Sequence, residues 1–208
     1  MINKFPWLLF HPNIPKPLHG LAPRIILGEN WWQTTKKEAK AKLNQHCWAC
    51  GIHKSASKYH QWLEAHECYS INYGLGRVEY VGTCALCHAC HNYIHDGRML
   101  MMVELSFRGV EGKFDAEKYE AIIEHGESVL KQWFLSNNWR WQGYKEAYKP
   151  MTLYSYTYPN LPIFSQKIQW IDGECKWEEY HLIVEGNRYE AKHKSHKDWL
   201  KFYRIKSD

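Results

Sequence analysis

Two Cys-x-x-Cys pairs, Cys47-Trp-Ala-Cys50 and Cys87-His-Ala-Cys90, constrain this chain more than any other feature in it. Each pair can bring two thiolates onto one ion, and two pairs complete the closed tetrahedral shell of structural zinc. The 36 residues between them (51 to 86) must then fold back so that the second pair meets the first. Six of the seven cysteines lie between Cys47 and Cys90, with Cys175 alone, so function is expected in that stretch. The odd count argues against a full disulfide framework, and the N-terminus has neither the apolar stretch nor the cleavage site of a signal peptide. The expected compartment is the cytoplasm, where reducing conditions favour metal ligation over disulfides. Cys84 stands in the same spacing to Cys87 as Cys87 does to Cys90. The later pair is preferred because it leads straight into a histidine pair; Cys84 and Cys68 then read as small buried hydrophobes or spare thiols.

That histidine pair is His91 and His95. Four residues apart on a helix, both imidazoles point the same way and can share one ion. His66, on a strand ahead of the second knuckle, is the expected third ligand. Three imidazoles leave positions open for water and phosphate, and they suit Zn2+, Ni2+ or Mn2+ better than Mg2+, which prefers oxygen. An ion so held can polarise a phosphodiester and lower the pKa of a water.

The flanking segments read as a support. Five of the eight prolines fall in residues 1 to 28 and predict an extended arm, followed by a helix capped at Asn30 and running to about Gln45. A strand from Trp62 to about Ile71, a turn at Asn72 to Gly76 and a second strand over Arg77 to Thr83 lead to a short helix ending near Gly97. A strand at Met99 to Phe107 and a helix capped by Asp115 and running to about Leu135 come next, the helix with an acidic outer face of Glu117, Glu120, Glu124 and Glu127. Residues 136 to 166 show no clean period. Short strands with turns at Asp172-Gly173 and Glu185-Gly-Asn187 then precede a basic helix over Ser195 to Ile205, where lysines interleave with Trp199, Phe202 and Tyr203. The expected division is 1–46 for arm and helix, 47–135 for the metal core, 136–166 for a linker and 167–208 for a C-terminal hairpin and helix. The expected class is α+β.

A net charge of +5, with 11 Trp and 14 Tyr, favours a polyanionic partner and supplies aromatic rings for core anchoring or base stacking. No apolar run approaches the ~20 residues of a membrane span, which excludes a helical membrane protein.

Taken together, these residues resemble the HNH endonucleases with a ββα-metal, treble-clef-like core supported by a zinc knuckle. The likeness runs from Cys47 to His95, and the Leu63-Glu-Ala-His-Glu67 segment is similar to that of uncharacterised phage and bacterial proteins of this type. The resemblance implies a metal-dependent DNA endonuclease, with Cys47, Cys50, Cys87 and Cys90 holding zinc and His66, His91 and His95 holding a second divalent ion. In the family, a histidine beside the first-strand ligand acts as general base. Here that position is Glu67, and the family's usual Asn position is Gly82. A carboxylate of ordinary pKa, roughly 4.3, is a weak base near neutrality. Strand alternation places Glu64 on the face of His66 and Glu67 on the other. Glu67 as base, Glu64 as partner of His66, and His66 itself as base all stay open. The alternative function is a non-catalytic zinc module binding nucleic acid or a host protein.

Overall fold

The N-terminal prolines start helical turns. A pyrrolidine presets φ near the helical value and lacks only an N–H that a first turn leaves unused. Pro6, Pro17 and Pro23 sit in the first turns of the 3-10 segments Pro6–Leu9 and Lys16–Leu18 and of helix α1, Pro23–Ile26. The expected extended arm is therefore a string of short turns. The computed structural model describes residues 4–10, 14–95, 116–137, 168–169 and 175–204.

Gly28 ends α1 with φ +84, and helix α2 (Gly28–Lys42) follows at once, so Asn30 lies inside the first turn of α2 rather than capping it. Beyond Lys42, Asn44 and Gln45 both take positive φ (48 and 62), which stops the helix short of Gln45 and turns the chain into the first knuckle. Strand β1 (Glu64–Asn72) and strand β2 (Arg77–Leu86) follow, and β2 runs into helix α3 (His88–Ile94) through Cys87. Helix α4 spans Ala116–Ser136. Strands β3 (Ile168–Gln169), β4 (His181–Val184) and β5 (Asn187–Glu190) precede helix α5 (His196–Arg204).

The class is mixed α+β. The sheet has the order β3-β1-β2-β4-β5, with β3 parallel to β1, β4 parallel to β2 and β5 antiparallel to β4. Pairing of Arg77 with His181 and Val78 with Leu182 makes the C-terminal hairpin part of the same sheet as β1 and β2, not a region of its own. The expected strand at Met99 to Phe107, the Asp115 cap, the Asp172-Gly173 turn and most of the 136–166 linker lie outside the described residues.

The chain divides into two compact units, each assembled from three stretches, in place of four consecutive segments. The first comprises Met1–His11, Lys36–His66 and Cys84–Lys149. In it α3 packs against α4, and the Pro6–Leu9 turn packs against both. Its core includes Leu8, Trp48, Leu63, Leu86, Tyr93, Ile122 and Leu130, all at or below 2% exposure. Gly126 in α4 lies under the Tyr93 ring so closely that a β-carbon there would fall 2.1 Å from it. The second unit comprises Pro12–Thr35, Glu67–Thr83 and Pro150–Asp208, around a core of Leu18, Ile71, Val78, Leu182 and Val184. Trp199 and Phe202, which interleave with the lysines of the basic helix, pack within this unit: Trp199 Nε1 donates to His19 Nδ1 at 3.0 Å, and the Phe202 ring lies 5.0 Å from that of His193. Lys192, Lys194, Lys197 and Lys201 stay exposed.

Candidate metal centre

The first knuckle is built by backbone hydrogen bonds. Cys47 N–H donates to Ile52 O and Gly51 N–H donates to Cys47 O, both at 2.8 Å, closing a tight loop. Gly51 takes φ +79, a left-handed position that favours glycine, and a β-carbon there would also have to displace the flexible Lys4 side chain, 2.6 Å away. Trp48 anchors the loop, its N–H donating to Ala85 O at 2.9 Å and its indole Nε1 to Ala39 O at 3.0 Å. The second knuckle is formed where β2 becomes α3. Cys87 is the N-cap in extended conformation, and Cys90 lies in the first helical turn.

Together these place Cys47, Cys50, Cys87 and Cys90 with their sulfurs within 4.8 Å of one another, including Cys50 and Cys87 at 3.8 Å. Cys84 and Cys68 are buried outside the cluster, in keeping with the choice of the later pair. Burial pushes the Cys47 thiol up, but contacts from Cys50, Cys87 and Cys90 outweigh it and hold Cys47 well below the usual thiol range. Facing Cys47 and Cys50 raises Cys87 and Cys90. A thiolate at Cys47 thus disfavours those at Cys87 and Cys90, the mutual repulsion that a cation among the sulfurs would relieve. The donor set fits zinc: four soft sulfurs, nearly all buried, with no position left open. His125 of α4, unremarked in the sequence, puts Nε2 3.3 Å from Cys90 Sγ, where a ring N–H supports a ligand sulfur.

Helix α3 divides its residues between two environments. Ala89, Cys90 and Tyr93 are buried, whereas His88, His91, Asn92 and His95 are only partly so. His91 and His95 meet His66 of β1, with ring centroids 4.8 Å apart (His91 to His95), 5.0 Å (His66 to His95) and 5.3 Å (His66 to His91). One nitrogen from each ring lies within 4.8 Å of the others. The three rings can therefore converge on one ion. Three imidazoles fill fewer positions than an ion such as Zn2+ or Ni2+ offers, which leaves room for oxygen ligands.

Glu64, two residues before His66 on β1, reaches the same helix. Its carboxylate Oε2 accepts a hydrogen bond from His91 Nδ1, and its Oε1 lies 2.7 Å from His88 Nδ1 and 2.8 Å from His60 Nε2. Burial raises this carboxyl, but the bonds to His88, His91 and His60 prevail and hold it well below the ordinary carboxylate range. Glu64 was expected beside His66; the partner found is His91. With its Nδ1–H committed to the carboxylate, the lone pair of His91 is on Nε2, the nitrogen available to an ion.

Glu67 lies elsewhere. Its carboxylate Oε2 accepts from Arg24 Nη1 at 2.6 Å and its Oε1 from Arg24 N–H at 3.4 Å, in a pocket that leaves Glu67 6% exposed. Burial raises its pKa, with the Arg24 guanidinium opposing. Alternation along β1 is the reason: Glu64 and His66 meet the α3 histidines, and Glu67 turns to the other side. Gly82 also has a backbone explanation. It takes φ +146 within β2, a conformation an asparagine would adopt only under strain.

Among the described residues, the site is a candidate metal centre with one cysteine cluster and histidine clusters beside it on α3. No known protein family, no curated protein and no solved structure matches this chain. No helix among the described residues is long and apolar enough to cross a membrane.

Proposed function

We propose that this chain is a metal-dependent endonuclease of the HNH type that hydrolyses phosphodiester bonds in DNA, on a zinc-supported ββα-metal core. The observation that carries the reading is that His66 of β1 meets His91 and His95 of α3 and its C-cap, with one nitrogen of each within 4.8 Å of the others, beside a helix start that belongs to a closed cysteine cluster. His66, His91 and His95 would hold a divalent ion, which when bound would supply Lewis acidity toward a phosphate oxygen and a water. The chain's own residues do the rest. The cysteine cluster fixes the start of α3, Glu64 holds the His91 ring with Nε2 free to ligate, and β1 sets His66 opposite the helix. Glu67, bound to Arg24, stabilises β1 rather than moving a proton, so the base is sought among the partly exposed histidines. Exposed lysines and a net charge of +5 favour a nucleic-acid substrate.

The test is plasmid nicking by the full chain loaded with zinc and supplied in turn with Mn2+, Ni2+, Mg2+ or excess Zn2+. Nicking that falls at least ~100-fold in His66→Ala and His91→Ala is expected, since these groups hold the ion at the reacting phosphate. Equal nicking by the variants, or none with any ion, overturns the proposal. A second reading, a zinc module that binds nucleic acid or a host protein without cutting it, is favoured by one observation: the residue in the general-base position is tied to Arg24. Tight DNA binding with a steep salt dependence and no cleavage would select it.

A further inference from the structure

The Glu64 carboxylate has a second oxygen, and its surroundings are unusual. Oε1 of Glu64, Nε2 of His60 and Nδ1 of His88 form a triangle with edges of 2.7 Å (Glu64 to His88), 2.8 Å (His60 to Glu64) and 3.0 Å (His60 to His88). What lies on the far sides of the rings decides what can fill it. His60 Nδ1 is 3.1 Å from Trp62 O, a group that only accepts, so Nδ1 carries a ring proton and Nε2 is the nitrogen turned to the triangle. The Asn92 amide donates to His88 O at 2.9 Å and directs the same Nδ2 at His88 Nδ1, 3.2 Å away. The His88 ring is thereby fixed with Nδ1 toward the triangle. A carboxylate oxygen and two imidazole nitrogens thus stand within 3.0 Å of one another, close enough for all three to reach one cation.

We propose that His60, Glu64 and His88 form a second divalent-cation site, of the two-histidine, one-carboxylate class, sharing Glu64 with the His66, His91 and His95 cluster. With bonds of ~2.1 Å, donors at right angles about an ion stand about 3.0 Å apart, against about 3.4 Å for a tetrahedron, and the observed edges match the former. Three adjacent positions of an octahedral ion would be filled, leaving three for water or phosphate oxygens. Imidazole and carboxylate together select Mn2+, Fe2+, Co2+, Ni2+ or Zn2+ over Ca2+. The donors are held in advance. The Trp62 indole stacks on the His60 ring at 3.7 Å between centroids and 3° between planes, and Tyr59, which leads into His60, takes φ +80 at a strained, non-glycine position. The site is also reachable, its side chains being 12% (His60), 23% (Glu64) and 15% (His88) exposed. Because one carboxylate serves both clusters, an ion on Oε1 draws charge from the oxygen that orients His91, and the two ions are coupled. The site stands on its own donors and does not depend on phosphodiester hydrolysis.

The experiment counts Co2+ on the full chain. Protein retaining its cysteine-bound zinc, which serves as the folding control, is freed of weakly held ions and dialysed against Co2+, and bound metal is measured by elemental analysis with the visible ligand-field spectrum. The expected result is two equivalents of Co2+ on the wild type and one on His60→Ala, with the conservative His60→Gln and the helix variant His88→Ala giving the same loss. Glu64→Gln should weaken both equivalents, the His91-linked one by about 10–100-fold. An unchanged count in zinc-retaining His60→Ala and His60→Gln overturns the proposal and makes the triangle a protonated hydrogen-bond network. If His66→Ala keeps two equivalents while His60→Ala loses one, the new site stands and the proposed reading of His66, His91 and His95 fails.

Discussion

Helix α3 contributes to two centres of opposite character, one closed and one open. The cysteine cluster is closed. Cys47, Cys87 and Cys90 are at or below 3% exposure, and the four donors are soft sulfurs. The histidine face is open. The His91 side chain is 19% exposed, its donors are borderline, and its orientation depends on one carboxylate. A centre that only holds the fold gains from excluding water, since four thiolates in a dry site keep their ion. A centre that acts on a ligand must leave room for it.

The largest test of this contrast is Cys90→Ser against His91→Ala. Apparent binding free energies of structural zinc are about 10–16 kcal/mol, so losing one thiolate should release the metal and abolish the cooperative melt of the first unit. His91→Ala should keep the zinc and change stability by about 1 kcal/mol, as for a partly exposed hydrogen bond. Zinc content and thermal denaturation of the two variants decide it; a comparable loss in both would erase the distinction between a closed and an open centre.

Gly126→Ala should disturb both faces at once. The added methyl would press into the Tyr93 ring, which is 1% exposed and cannot swing clear, so α3 must shift off α4. Overpacking of this kind costs about 1–3 kcal/mol. Urea denaturation should show a lower midpoint at unchanged slope, with weakened Co2+ binding at the histidines. Normal Co2+ binding in a destabilised variant would mean that the open face does not depend on the packing of α3.

Arg24→Ala separates the two carboxylates. Glu67 would be left buried with its main charge partner gone, at a cost of about 1–3 kcal/mol. Adding Glu67→Gln should recover most of that loss, because the neutral amide needs no counter-ion. Glu67→Gln alone should leave plasmid nicking within severalfold of wild type. A collapse of nicking with stability intact would return the base to Glu67.

The smallest effect concerns a histidine with no metal role. His19 accepts from Trp199 Nε1 on Nδ1 and donates from Nε2 to Ile14 O at 2.9 Å, which commits the neutral ring. Burial lowers its pKa from 6.5, aided by the nearby His193 and Lys16 and opposed by the bond to Ile14. The unfolded chain then takes up the proton first. Stability from this group is complete above pH 6.5 and is lost as pH falls below it. Melting of the wild type relative to His19→Gln should show that loss between pH 7 and pH 5; a difference independent of pH would remove His19 as its source.

Much of the first centre was legible in the chain because its geometry is local. Cys-x-x-Cys loops, the change from strand to helix at Cys87, and the four-residue step from His91 to His95 each follow from one element's period, and burial then required the two knuckles to meet. Alternation along β1 likewise separated Glu64 from Glu67. The helix starts at Gly28 and at the N-terminal prolines were misread because left-handed and first-turn backbone positions, not side-chain caps, set those boundaries.

What the sequence by itself determined is the donor inventory, the two cysteine knuckles and the α+β class, since each follows from spacing and periodicity along local stretches. The tertiary structure alone decided that Glu64 belongs to His91, that Arg24 claims Glu67, and that His60, from the turn before β1, meets His88 on α3. No period links residues 60, 64 and 88; only the packing of strand and helix brings them together. The joining of β4 to β2 is likewise tertiary, because hydrogen bonds between distant strands leave no local signature in either strand.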